Sequence, residues 1–220
     1  MILMKVLRLD LYQESACYKK PFAYKVTETY PLPPYSTVKG MLHSILKAEE
    51  FIPMQLSIQG TYESIFNSYN TMYFYKSNEV TTMPLNTHML FGVDLTIHVK
   101  ADLDTLEGII EGIKTASDHF SLGRREDLVR IKKAELVEVK EFKIDEDFEE
   151  LPTITKPIYI PKEKLPCYLN GINYRLNWKY EIIDEIRQWE KIDVMYTDIG
   201  EELDEGIVLM DSYMDMVFFN

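Results

Sequence analysis

The sequence predicts an α+β fold: a strand, a helix, two strands, a second helix and a further strand in that order, followed by a β-rich acidic extension. Three observations predict it. Apolar and polar residues alternate at 7–12 and 93–100, the two-residue period of half-buried strands. Apolar residues recur at three- and four-residue spacing within 38–46 and 103–113, the signature of amphipathic helices. The charge balance then changes: residues 1–140 carry 16 Lys+Arg against 17 Asp+Glu, whereas residues 141–220 carry 8 against 19. The expected organisation is a domain over 1–140 and a separate acidic region over 141–220.

In the first strand Leu7, Leu9 and Leu11 alternate with Arg8, Asp10 and Tyr12. Residues 13–28 read as a polar loop in which Lys19, Lys20 and Lys25 are interleaved with Tyr18, Phe22 and Tyr24. Cations mixed with aromatic rings grip phosphates and stack unpaired bases, and they also occur in plain surface loops. In Thr29–Lys47, Pro31, Pro33 and Pro34 impose an extended lead-in, and Ser36 is the expected N-cap of a helix. Val38, Met41, Leu42, Ile45 and Leu46 form its apolar stripe. Lys39, His43 and Lys47 fall opposite, a basic strip leading from a helix start whose free amides attract anions, or simply a solvated face.

Between Phe51 and Leu90 only Glu63, Lys76 and Glu79 are charged, while Tyr62, Phe66, Tyr69, Tyr73, Phe74 and Tyr75 crowd together. Strands are expected at 56–62 and 72–76, with a turn over Asn67–Asn70. So many aromatics without charge imply either core or a contact surface. Val93, Leu95, Ile97 and Val99 alternate with Asp94, Thr96, His98 and Lys100, which predicts a sheet covered on one face only. A helix follows, capped by Asp102 or Asp104, with Leu103, Leu106, Ile110 and Ile113 buried. After the Gly123 loop a last strand covers about 128–139. This βαββαβ order is ferredoxin-like. Arg124 and Arg125 beside Gly123 suit phosphate oxygens, or local pairing with Glu126 and Asp127; neighbours in an extended segment point oppositely, so at most one faces a ligand.

In the acidic region, strands are expected at 158–160 and 189–198, with a hairpin of 207–210 and 214–219 turning at Asp211–Tyr213. Over the whole chain, the 46% hydrophobic and 27% charged content is ordinary for a folded protein. The net charge of −12 argues on average against nucleic-acid binding, but the first 40 residues are locally basic. Cys17 and Cys167 make neither a metal nor a disulfide framework. MILMKVLRLDLY is too short and too soon charged for a signal peptide, and no apolar run approaches a membrane span, so a cytoplasmic protein without membrane contact is expected.

The segment TYPLPPYSTVKGMLH soon after the first strand, together with SLGRREDL at 121–128 before the last, resembles the signatures of the family-five CRISPR-associated subunits (Cas-five) of the RAMP superfamily. The wording of the first is most similar to subtype I-B. The resemblance covers about residues 4–140 and implies a non-catalytic subunit of a Cascade surveillance complex in antiviral defence. Such a subunit binds the 5′ handle of crRNA, caps the backbone, and meets the Cas-seven backbone subunit and the large subunit; contact with target DNA is left open. RNA would lie on Lys19, Lys20, Lys25, Tyr30, Tyr35, Ser36, Thr37, Lys39, His43, Arg124, Arg125 and Arg130. The insertion at 63–90 would be a thumb bearing on the RNA. No cofactor or metal is implied. The alternative is a metal-independent endoribonuclease that processes CRISPR repeat RNA, for which Tyr30, Tyr35, His43, His98 and Lys100 are the candidate groups.

Overall fold

A computed structural model describes residues 3–23, 25–165 and 168–220; Tyr24, Pro166 and Cys167 lie outside the described residues. The elements in chain order are β1 (Leu3–Ala16), β2 (Val26–Thr27), α1 (Tyr35–Leu46), β3 (Gln55–Thr61), β4 (Ser64–Tyr75), β5 (Val80–Lys100), α2 (Leu103–Thr115), β6 (Phe120–Ser121) and β7 (Leu128–Lys143). A one-turn helix, α3 (Ile144–Asp147), leads to β8 (Ile158–Pro161), β9 (Ile172–Ile183), β10 (Ile186–Thr197), β11 (Ile207–Asp211) and β12 (Met216–Val217). The chain is mostly antiparallel sheet with few helices, more sheet-rich than its sequence predicts.

The main sheet has the order β12-β11-β7-β1-β5-β3-β8-β10-β9. Its strand pairs are antiparallel apart from β2, which lies parallel to β5. The acidic region adds strands to both ends, β11 and β12 beside β7, and β8 to β10 beside β3. α1 and α2 cover one face. There Leu7, Leu9, Leu11, Leu95, Ile97 and Val99 meet Val38, Leu42, Ile45, Leu106 and Ile109, all essentially without solvent contact. Burial of each such side chain contributes roughly 1.5–3 kcal/mol.

The expectation of a one-sided sheet is corrected by the second face. Thr96, His98, Ser57 and Gln59 are buried there, because residues 211–220 cross beneath the sheet. The Ser57 hydroxyl accepts from the Phe218 amide at 3.0 Å, and Gln59 donates to the Met216 carbonyl at 3.2 Å. A buried ionic cluster pins the crossing. The Arg8 guanidinium lies 2.7 Å from Asp215 and also binds Asp211, to which His98 Nε2 donates at 3.0 Å. Burial would raise the Asp211 carboxyl, but hydrogen bonds from His98, Arg8 and the Asp215 amide outweigh it and hold the group at about 2.

Local boundaries differ from expectation for identifiable reasons. Pro34, not Ser36, is the N-cap of α1, with no side-chain cap; its carbonyl accepts from the Thr37 and Val38 amides at 2.9 and 3.2 Å. The helix starts two residues early because Tyr35 is anchored, its ring buried 6.3 Å from that of Tyr159. Asp102 caps α2 by accepting from the Thr105 amide at 2.8 Å, and Ile109 rather than Leu103 completes the buried stripe. β4 runs straight through Asn67–Asn70, and the hairpin turns at Lys76–Glu79. No helix of the described residues is long and apolar enough to cross a membrane.

Candidate nucleic-acid interface

The exposed side of α1 is built from small groups. Ser36, Thr37, Gly40 and Ser44 line a groove of about 400 Å3 whose other wall is His119, Phe120, Ser121 and Gly123, with Trp189 of β10 at one end. A Cβ on Gly40 would meet nothing within 4 Å, so the helix surface is open at its middle. Rigid positioning of the helix start comes from Tyr159 of β8. Its hydroxyl donates to the Leu32 carbonyl at 2.9 Å and fixes the proline-rich lead-in from behind.

The Gly123 loop is locked to the end of β1. The buried Asp127 carboxylate accepts from the amides of Cys17 and Arg124 at 3.0 and 2.9 Å, and Gln13 donates to the Leu122 and Asp127 carbonyls. Gly123 has φ +115°, and a Cβ there would stand 2.9 Å from Asp127 Oδ2. Arg124 is consumed by this arrangement, bidentate on Asp127 with its closest contact at 2.7 Å. Arg125, its neighbour, is exposed. The two arginines lie in a bend and turn rather than in an extended segment, and Arg125 is the exposed one.

Several other candidates are placed differently from expectation. Lys19 and Lys25 are exposed; Lys20 is half-buried, pairs with Glu28 at 3.2 Å and lies 5.8 Å from the ring centres of both Tyr30 and Tyr174. Tyr30 and Tyr35 are buried in a tyrosine cluster with Tyr159, Tyr174 and Tyr196, so neither ring is open to a base. Arg130 is exposed but pairs in register with Tyr12, which alternates with the core residue Leu11; it stands on the sheet face turned away from α1.

Lys39 does not join an exposed strip. It is 4% exposed, its amine rests on the Trp178 ring and has no hydrogen-bond acceptor among the described residues, and burial, reinforced by Lys179 and partly offset by Glu190, lowers it to about 7. The arm formed by β9 and β10 folds over it. His43 is likewise engaged: Nε2 accepts the Ile52 amide at 2.9 Å, so Nδ1 carries the proton and donates to the Lys39 carbonyl at 2.8 Å.

The groups considered for RNA cleavage are therefore not assembled. His98 is buried beneath the opposite face, His43 has both nitrogens committed, and burial pushes the Tyr35 phenol far above its usual range. Among the described residues no group of three or more His, Cys, Asp or Glu is placed to hold a metal ion.

Residues 6–207 match the family described as CRISPR-associated protein (Cas_Cas5). The chain belongs to the Cas-five family. No curated protein matches it. Two solved structures resemble this Cas-five chain in fold. A chain of a CRISPR RNA-guided surveillance complex superposes with a TM-score of 0.58 at 12% identity, covering 96% of this chain and 92% of the other. A CRISPR protein from Archaeoglobus fulgidus superposes with a TM-score of 0.50 at 11% identity, covering 97% and 98%.

Within the Cas-five chain, the residues missed in the sequence are those of β9, the first strand of the arm. Tyr174, Leu176, Trp178 and Tyr180 alternate with polar neighbours along β9, a strand signal that was present. Its turn, Asp184–Glu185, has φ of 51° and 63° without a glycine, which hid the hairpin.

Proposed function

We propose that this Cas-five chain is a non-catalytic subunit of a CRISPR RNA-guided surveillance complex of the Cascade type, subtype I-B, and that it holds the 5′ handle of crRNA. The carrying observation is the open groove between the small-residue face of α1 and the Gly123 loop. A nucleic-acid backbone fits such a surface, phosphates meeting the free amides at the helix start, with Lys19 and Arg125 on the neighbouring loops. On this reading β7-β1-β5-β3 with α1 and α2 form a ferredoxin-like RAMP core, and the β4–β5 hairpin is the thumb.

The hairpin supports that role by having two different faces. Register places Tyr69, Tyr73 and Tyr75 with Asn86 on one side, and Phe66, Met72 and Phe74 with Met83, Leu85 and Met89 on the other. The tyrosine side suits bases, and the Phe/Met side suits the backbone subunit that the chain caps. The large subunit is its further neighbour.

The test is incubation of the purified chain in EDTA with end-labelled RNA spanning the host CRISPR repeat, followed by denaturing and native gels. Intact RNA, retained once backbone subunits are added, is the expected result. Site-specific cut products would replace the handle-holding role with repeat processing.

A further inference from the structure

Beside the groove on α1 lies a second one, of about 360 Å3, between the helix and the β9–β10 arm. That volume falls in the small-ligand range of about 300–1,000 Å3. Its lining includes four aromatic side chains and one buried amine without an acceptor among the described residues. Phe51 and Trp189 are 52% and 39% exposed, Phe51 with one ring face stacked on His43 at 5.8 Å. Lys39 supplies that amine, a deficit that protein interiors seldom carry without a function. The other lysine there, Lys179, is already paired with Glu190 at 3.0 Å. The exposed carboxylates of Glu49 and Glu50 stand on the rim.

A ligand that answers all three features is flat, offers acceptors to an amine on one edge, and offers donors to carboxylates on another. Guanine has O6 and N7 on the first edge and the N1 and N2 hydrogens on the second. Adenine puts an amino donor where O6 would be, and a pyrimidine has a smaller ring to stack.

We propose that the groove over Lys39 is a binding site for one unstacked guanine, with Lys39 at O6 and N7, Glu49 or Glu50 at N1 and N2, and the ring against Phe51 or Trp189. The site deepens the reading of α1 as an RNA path and rests on it for the source of the base. A free guanine nucleotide offers the same chemistry.

Trp178 and Trp189 provide the readout. The full chain is titrated with uridine hexamers carrying one central guanine, adenine or hypoxanthine, and with GMP and AMP alone, by fluorescence quenching. The guanine hexamer is expected to bind tenfold or more tighter than the adenine one, within the range of a good base contact. Lys39→Met, a change suited to a buried position, brings it down to the adenine value, and Glu49→Gln with Glu50→Gln narrows the gap to hypoxanthine. A circular-dichroism melt confirms that each variant is folded. A Lys39-dependent response to GMP, not AMP, with hexamers no tighter than GMP, keeps the guanine site and assigns it to a free nucleotide, against the RNA path. Equal affinity for guanine and adenine hexamers overturns the site even if both bind well, as handle holding requires. A preference that survives Lys39→Met, or no quenching by any probe, overturns it as well.

Discussion

His98 Nε2 donates to the Asp211 carboxylate at 3.0 Å, with both side chains sealed from solvent, joining β5 to a segment 113 positions later. With Arg8 on the same carboxylate, this contact fastens residues 211–220 beneath the sheet. Asp211→Asn keeps the shape and removes the charge, leaving Arg8 and His98 inadequately matched. Breaking one partner of a buried pair costs about 3–5 kcal/mol. At about 2–4 °C per kcal/mol for a chain of this size, Tm is expected to fall by roughly 6–20 °C. A melt within a degree or two of the wild type would refute the role given to the cluster.

The same group sets the acid limit. Because the folded Asp211 carboxyl is held at about 2, below its ordinary value, its contribution to stability is complete above about pH 4 and is lost as the pH falls toward 2. Denaturant midpoints measured from pH 5 to pH 2 are expected to drop more steeply in the wild type than in Asp211→Asn, which has no such carboxyl to protonate.

Lys39 acts in the opposite direction on the pH scale. Its amine, lowered to about 7 in the fold, binds fewer protons than the unfolded chain between pH 7 and its ordinary value of 10.5, so its effect on stability grows more favourable as pH rises through that window. Lys39→Met is expected to raise Tm at pH 7 and to flatten the difference between pH 7 and pH 9. An identical pH profile in both proteins would show that the amine is charged and satisfied in the fold.

The two adjacent arginines are separable by experiment. Arg125→Ala is expected to lower the salt slope of RNA binding by about 1 with an unchanged melt. Arg124→Ala removes the partner of a buried carboxylate and is expected to lower Tm. Salt-dependent filter binding and calorimetry distinguish them, and the reverse pattern would mean that Arg124 leaves Asp127 when RNA binds.

Gly123→Ala tests the loop beneath. With φ at +115° and a Cβ forced to 2.9 Å from Asp127 Oδ2, the cost is about 1–3 kcal/mol of local strain. Lower stability together with weaker RNA binding is expected. A variant as stable as the wild type would mean that the loop relaxes freely.

The central elements were legible because their physics is local. Alternation marked β1 and the end of β5, the stripe of Val38, Leu42 and Ile45 marked α1, and Asp102 marked the start of α2. What could not be read depends on distant chain. Lys39 occupies a helix position that spacing makes exposed, and only the arm 140 residues later buries it. Tyr30 and Tyr35 look like free aromatic rings until Tyr159 and Tyr174 pack on them. Thr96 and His98 have the polarity of a wet face, and the 211–220 strap, with Asp211 on His98, hides it. The site inherited this asymmetry, since the helix and most of β10 were foreseen but β9, which carries Trp178 over Lys39, was not.

Among the described residues β4 pairs only with β5, so half of its backbone donors and acceptors face outward along twelve residues with no charge and no proline. Natural sheet edges are usually protected by such residues. Colloidal behaviour in the isolated protein should therefore be governed by this one rim: two copies can align their β4 edges antiparallel without any like-charge clash, and association proceeds with strand content preserved. Sedimentation that becomes concentration-dependent, with the dependence abolished by Asn70→Lys, would trace self-association to the hairpin edge.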